Sequence, residues 1–417
     1  MACFQADSYG TGLSPDVVQE KQMRILFVPF QARVLSHQIP LLALNKMLAD
    51  TSIETAFLLP HRSQAIIRRI GARVLDIDHD GLLRTEITAY KLFRPDVVVD
   101  DTSFSTGFAT SLTKLPRIAI QRTGMFPRDS PKVMGHSHSI DIDNKMFPDV
   151  TGLGLSQPHE ISSFFNAPVK IVPGIRSIEQ LPESIRHDPS YYFSGPLLIE
   201  DYIGEELSNS RIIGGDEFNL SRFSGHEPLK VFFDAHSHRK LIYLTLGLVA
   251  KPSASVYECI NYLLSNGVAV ISSIKVGNLS PKQQALYYHS TYLPMHYVCS
   301  NVDLVIHHCG SGTYHYPIIH STPSITIGTK CYDRDNIAIR LQELGVSTYL
   351  PSPDECDQFV DLFKNSVERR LHGSADSMRG TIEKINVLRS EIELTSSSFD
   401  FTELLRKVTR HQSHEVN

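Results

Sequence analysis

The sequence contains no tryptophan, and its six cysteines form no CxxC pair. Cys3, Cys259, Cys299, Cys309, Cys331 and Cys356 are scattered, which reads as reduced thiols and not as a disulfide framework. No apolar run reaches the roughly 18 uncharged residues of a membrane span. Residues 1–22 lack the charged start and apolar centre of a signal peptide, so they read as a loose extension. Neither sign of charge dominates: 40 Lys and Arg oppose 45 Asp and Glu, for a net −5. That balance gives no footprint for nucleic acid or a membrane surface. No internal repeat is visible. What remains is an ordinary globular composition, 41% hydrophobic and 20% charged, in a 417-residue chain expected to be cytoplasmic.

Within it, short β-rich runs alternate with longer helical ones. MRILFVPF (23–30), IETAFLLP (53–60), ARVLDI (72–77), PDVVVDD (95–101) and PRIAIQ (116–121) read as strands. SHQIPLLALNKMLAD (36–50) reads as a helix, with Leu41, Leu44 and Leu48 on one stripe and Pro40 tolerable in its first turn. Residues 128–166 are polar and irregular, and 191–217 turn loop-like and glycine-rich. Alternation resumes at KLIYLTLG (240–247), VAVISSI (268–274), VDLVIHH (302–308) and PSITIG (323–328), with helical text at 254–267, 336–346 and along 374–409. Such alternation implies parallel sheets covered on both faces. The expected organisation is an extension (1–22), a first Rossmann-like domain (23–205), a linker (206–238), a second Rossmann-like domain (239–390) and a C-terminal helix (391–417). Two doubly wound domains leave a cleft between the carboxyl ends of their strands, where open α/β sheets bind ligands.

One strand end carries HHCGSGT (307–313). Three readings compete: a metal site, a phosphate cradle and a tight turn. Adjacent histidines on a strand point to opposite faces, so His307 and His308 would not share an ion. Glycines let backbone N–H groups approach an anion, a following helix adds partial positive charge, and Thr313 and His308 offer further donors. His307 reads as a packed histidine. HSHSID (136–141) and DAHSHRK (234–240) fall in expected loops and lack a metal-ligand frame.

YLPMHYVCSNVDLVIHHCGSGT, followed by STPSITIGTKCYDRDNIAIRLQELGV, resembles the nucleotide-sugar signature of family 1 glycosyltransferases of the bacterial natural-product type. That signature runs W/F-x-P, H-x-G-G-x-G-T, G-x-P, D-Q and E-L-G-V; the stretch between the glycine loop and the D-Q pair needs one inserted residue. TLG (245–247), GP (195–196) and SHQIP (36–40) fall where the family has related short motifs. The resemblance covers roughly 23–400 and implies the GT-B fold, two doubly wound Rossmann-like domains facing a central cleft, with the C-terminal helix (391–417) packing back on the first domain. It implies inverting, metal-independent transfer of a sugar from a UDP- or dTDP-sugar to a hydroxyl or amine of a small natural-product or lipid acceptor. By resemblance His37 is the general base, oriented by a carboxylate at the end of the fourth strand. Asp101 sits there, favoured over its neighbour Asp100 because only one of two successive strand residues can face the cleft. On the donor side, Tyr292 would stack on the base, with backbone near Leu293 reading its edge. His308, Gly310, Gly312 and Thr313 would hold the diphosphate, together with Thr245 and Gly247. Asp333 and Arg334 would meet the sugar. No cofactor or metal is expected; the protein would be a monomer or homodimer.

Three positions depart from the family pattern. Tyr316 replaces a glutamate that grips ribose hydroxyls, which tilts the donor toward a deoxyribose nucleotide. Arg334 replaces a glutamine, which raises an anionic donor sugar as a hypothesis. Leu248 replaces a phosphate-contacting hydroxyl residue. The rival readings are a non-catalytic GT-B auxiliary protein that activates a partner transferase, and a GT-B nucleotide-sugar epimerase.

Overall fold

The computed structural model describes residues 22–30, 35–59, 64–69, 71–77, 81–127, 132–133, 136–137, 161–198, 226–247, 252–290 and 293–415. Tyr292 and Leu248 lie outside the described residues, as do 138–160, which include the DID of 141–143.

The first sheet is built from β1 (Arg24–Pro29), β2 (Glu54–Phe57), β3 (Val97–Asp101) and β4 (Arg117–Ile120). A two-residue hairpin, β5 (Lys132–Val133) with β6 (His136–Ser137), stands apart from it. Then β7 (Val169–Val172) and β8 (Tyr191–Phe193) complete the sheet in the order β2-β1-β3-β4-β7-β8, all parallel. Successive side chains of β1 serve opposite cores: Ile25 and Phe27 join one apolar cluster, Leu26 and Val28 the other. Burial on both faces is why these strands read as unbroken apolar runs.

The second sheet comprises β9 (Leu241–Thr245), β10 (Ala269–Ser272), β11 (Tyr287–His289), β12 (Leu304–His307), β13 (Ser324–Ile327) and β14 (Ser347–Leu350). Its order is β11-β10-β9-β12-β13-β14, again parallel. Chain order reverses between β9 and β12, and in the first sheet between β1 and β3. Those reversal points open the crevices in which doubly wound sheets bind ligands.

Several elements differ from the sequence expectation. ARVLDI contributes only an isolated bridge, Val74 to Phe57, so the carboxylate strand is the third full strand and the fourth only if that bridge is counted. Within the loop-like stretch 191–217, residues Tyr191–Phe193 form an edge strand too short to show a period. Inside the expected linker, His226–His236 is helical, and its Leu229 and Phe233 pack with Leu241 and Tyr243 of the second sheet. The helix expected from 336 begins at Tyr332, so Asp333 and Arg334 occupy its first turn. Residue 390 falls in the middle of the helix Ala375–Ser398. The final helix, Phe401–Glu415, places Phe401, Leu404, Leu405 and Val408 in the apolar cluster of the first sheet. No helix among the described residues is long and apolar enough to cross a membrane.

Candidate active site

His37 ends a short 3-10 turn, Leu35–His37, that leads into the helix Ile39–Met47. Pro40 sits in the first turn of that helix, where no N–H is needed. Asp101 ends β3 and lies in register with Pro29 of β1, so both elements meet at the first sheet's reversal point. The imidazole Nδ1 of His37 is 2.9 Å from Asp101 Oδ1. Asp101 is fully buried while the His37 side chain keeps 19% exposure. Asp100 points the other way, into a forked pair with Arg117 (2.7 and 3.0 Å).

Arg122, just past β4, is a residue that the sequence reading missed. Its guanidinium donates to both oxygens of Asp101, from Nη2 at 2.6 Å and from Nη1 closely, and from Nη2 to the Ser36 carbonyl at 3.1 Å. Burial raises the Asp101 carboxyl, but Arg122 and then His37 outweigh it and hold the group at about 2. Asp101 therefore stays ionised across the physiological range, and accepts from Arg122, from Thr102 Oγ1 (2.8 Å) and from a protonated His37 Nδ1. An Nδ1–H bound in this way leaves the Nε2 lone pair to accept a proton.

At the second reversal point, His307 of β12 lies in register with Thr245 of β9. His307 is buried, and its Nδ1 accepts the Cys309 backbone N–H at 3.2 Å. Burial pushes its ring down to about 3, so it is an uncharged packing group. His308 fills the space between two glycines. A Cβ on Gly247 or Gly310 would stand 2.7 or 2.8 Å from His308 Nε2, closer than real contacts allow. Gly247 also has φ +73°, a left-handed conformation that side chains disfavour. Burial first, and the charge of Arg334 second, hold His308 at about 3. It can donate one N–H but carries no charge. Among the described residues a Cβ on Gly312 would meet nothing within 4 Å, so that face of the loop is open with respect to them. Thr313 N–H returns to the Gly310 carbonyl at 2.8 Å. The helix that follows, His315–Ile319, has five residues, so its dipole adds less than the sequence implied. Thr245 Oγ1 meets Ser273 Oγ at 2.8 Å and accepts the Gly247 N–H at 3.1 Å, which fixes the neighbouring turn.

Tyr316 is buried in the apolar cluster of Leu293, Val298 and Tyr243, with its ring edge-on to His296 at 4.9 Å. It is a core residue and offers no ribose-gripping carboxylate. His236, from DAHSHRK, bonds the Ala285 carbonyl at 2.9 Å.

The two halves meet directly. Gly124 lies against Asp333; a Cβ there would be 2.9 Å from the Asp333 Cβ. Thr123 donates from N (3.2 Å) and closely from Oγ1 to the buried Glu179, which also accepts from Tyr314 OH at 2.9 Å. The His37–Asp101 pair and the glycine loop thus belong to units joined by a packed seam. A separate cavity of about 680 Å³, lined by Arg176, Arg186, Tyr191, Phe193 and Glu391 among others, involves none of these groups.

No family model matches the chain. Over 190 residues it is 24% identical to aclacinomycin-T 2-deoxy-L-fucose transferase of Streptomyces galilaeus, a match spanning 44% of this chain and 40% of that protein. Among solved structures, the UDP complex of UDP-glucose:anthocyanidin 3-O-glucosyltransferase superposes with TM-score 0.65 at 15% identity, covering 93% of this chain and 99% of that one. A spinosyn rhamnosyltransferase bound to thymidine diphosphate gives 0.61 at 16% identity, covering 89% and 96%. The chain has the GT-B fold. In this GT-B frame the first sheet supplies His37, Asp101 and Arg122. The second supplies His308, the glycine loop, Asp333 and Arg334.

Proposed function

We propose that the protein is an inverting glycosyltransferase that moves a sugar from a nucleoside-diphosphate donor to a hydroxyl or amine of a small natural-product or lipid acceptor. The observation that carries this reading is the His37–Asp101 contact at one reversal point, with the open glycine loop at the other. His37 Nε2 takes the acceptor proton while the acceptor atom attacks the anomeric carbon opposite the leaving diphosphate. Negative charge then grows on the diphosphate, where backbone N–H groups at Gly310–Gly312, the Thr313 hydroxyl, the His308 ring and the Arg334 cation stabilise it. No metal is needed in this scheme. The 23–205 unit takes the acceptor and the 239–390 unit the donor.

Support for the donor class comes from the buried Tyr316, which leaves the ribose edge without a carboxylate. A deoxyribose nucleotide has no 2′-hydroxyl to satisfy, so dTDP should bind at least as tightly as UDP in calorimetry. Arg334 acts electrostatically on His308, which suits the diphosphate better than a sugar carboxylate. Arg334→Gln should then weaken dTDP and UDP alike and leave donor preference unchanged; a switch in preference would instead assign an anionic sugar. The decisive test is a His37→Ala transfer assay with a donor panel and crude cell extract as acceptor source. We expect transfer to fall about 100-fold or more with nucleotide binding intact. Retained transfer overturns the mechanism, and absence of any nucleoside-diphosphate affinity supports the auxiliary-protein reading.

A further inference from the structure

Arg122 is buried, yet its guanidinium reaches three parts of the same constellation. It forks onto both oxygens of Asp101, caps the Ser36 carbonyl in the turn that carries His37, and brings Nη1 to 3.4 Å from His37 Nδ1. Asp101 Oδ1 is consequently shared by His37, Thr102 and Arg122. A lone buried carboxylate against an imidazole favours the imidazolium, which cannot accept a proton. A guanidinium forked onto that carboxylate compensates its charge while fixing its orientation. Thr102 cannot do this, since a hydroxyl brings no charge.

The residues after Arg122 tie the same segment to the donor half. Thr123 binds Glu179, which holds Tyr314 beside Thr313, and Gly124 abuts Asp333. Among the described residues, the charged groups against the His37 ring are Asp101 from the end of β3 and Arg122 from the end of β4. Asp333 and Glu179 act on Arg122 at longer range, and the Phe30 ring closes the apolar side of His37 at 5.4 Å.

We propose that Arg122 is a positioning residue for the transfer reaction: it holds Asp101 and the His37 turn in one geometry and keeps the imidazole in its proton-accepting form. This rests on the reading of His37 as the base. The test needs no identified acceptor. Protein labelled with 13C-histidine is titrated by NMR, and the His37 ring signal is assigned by its loss in His37→Ala. In Arg122→Gln the titration of that signal should move upward by about one pH unit, because the Asp101 charge is no longer compensated. Arg122→Lys keeps the charge and should restore most of the wild-type midpoint.

Arg122→Gln leaves a buried carboxylate unpaired and can prevent folding. The doubly neutral Arg122→Gln/Asp101→Asn, which leaves neither partner as an unpaired buried charge, then carries the test against wild type: its His37 midpoint should match, because the two charges cancel in the native site. An unmoved midpoint in Arg122→Gln, or a double-variant midpoint well below the wild type, overturns the proposal. If His37→Ala abolishes transfer while the titration stays put, only the role of Arg122 falls. If His37→Ala retains transfer, the base assignment falls and this proposal with it.

Discussion

Single residues decide whether the glycine loop can accept an anion. Gly247 and Gly310 are needed for the His308 ring itself, and substitution at either disturbs the fold and the site together. Gly312 separates the two. Among the described residues nothing lies within 4 Å of its missing Cβ, so Gly312→Ala should leave thermal stability unchanged. The same methyl would enter the space proposed for the diphosphate. We expect UDP and dTDP affinity to drop at least about 10-fold, which calorimetry and a melting curve would read side by side. Equal affinity in the variant would place the diphosphate elsewhere. Cys309, with φ 56°, stands in the left-handed region where the family pattern repeats glycine, a strain that backbone geometry reveals and sequence does not. His37 and Asp101 were legible because each sits in a short spaced motif at a strand end. Arg122 was not: an arginine after a strand looks like a solvated surface residue. Its burial is set by Asp101, 21 residues earlier in the chain.

Among the elements, the central strands were readable because burial on both faces leaves only apolar text. Edge strands were not. Tyr191–Phe193 and Tyr287–His289 have three residues each, and β11 pairs on one side only. Helix His226–His236 hid in the linker because its polar face dominates a short text; among its described side chains only Leu229 and Phe233 are buried deeply. The final helix is more consequential. Leu405 is fully buried in the cluster that also holds Phe27, Leu41 and Val99. Leu405→Ala removes about three methylene-sized groups from a packed core and should cost roughly 2–5 kcal/mol of stability. Denaturant unfolding followed through a probe in the first sheet should register the loss, even though the substitution lies near the other end of the chain.

At the scale of the whole molecule, the two units are fastened by a segment that follows β7. Ile175 and Ile178 enter an apolar cluster of the second unit with Tyr314, Ile318 and Ile337. Arg340 Nε donates to the Ser177 carbonyl at 2.9 Å, and the Ser177 N–H reaches Glu391 at 3.1 Å. His315 lies in the same seam, its Nε2 3.2 Å from the Pro173 carbonyl. Burial pushes that ring from 6.5 down to about 3. Below pH 6.5 the unfolded chain takes up a proton there that the folded chain refuses, so stability is lost as pH falls toward 3. Glu179 is shifted upward by burial and acts in the opposite sense, so the histidine must be isolated by subtraction. Between pH 6 and 5, the fall in stability should be shallower in His315→Gln by about 1 kcal/mol per pH unit. Parallel slopes in the two proteins would mean that the ring is already charged in the fold. None of this seam was visible in the sequence, since its partners lie 135 to 214 residues apart.

The last helix has one more consequence, for the order in which the protein can be made. The first sheet is complete at Phe193, but four residues that cover one of its faces, Phe401 to Val408, come roughly 200 residues later. At about 5–20 residues per second, a nascent first half waits some tens of seconds on the ribosome with the part of that face beside the helix Ile39–Met47 still uncovered. During synthesis this protein should therefore depend on chaperones at its N-terminal half more than the finished fold would suggest.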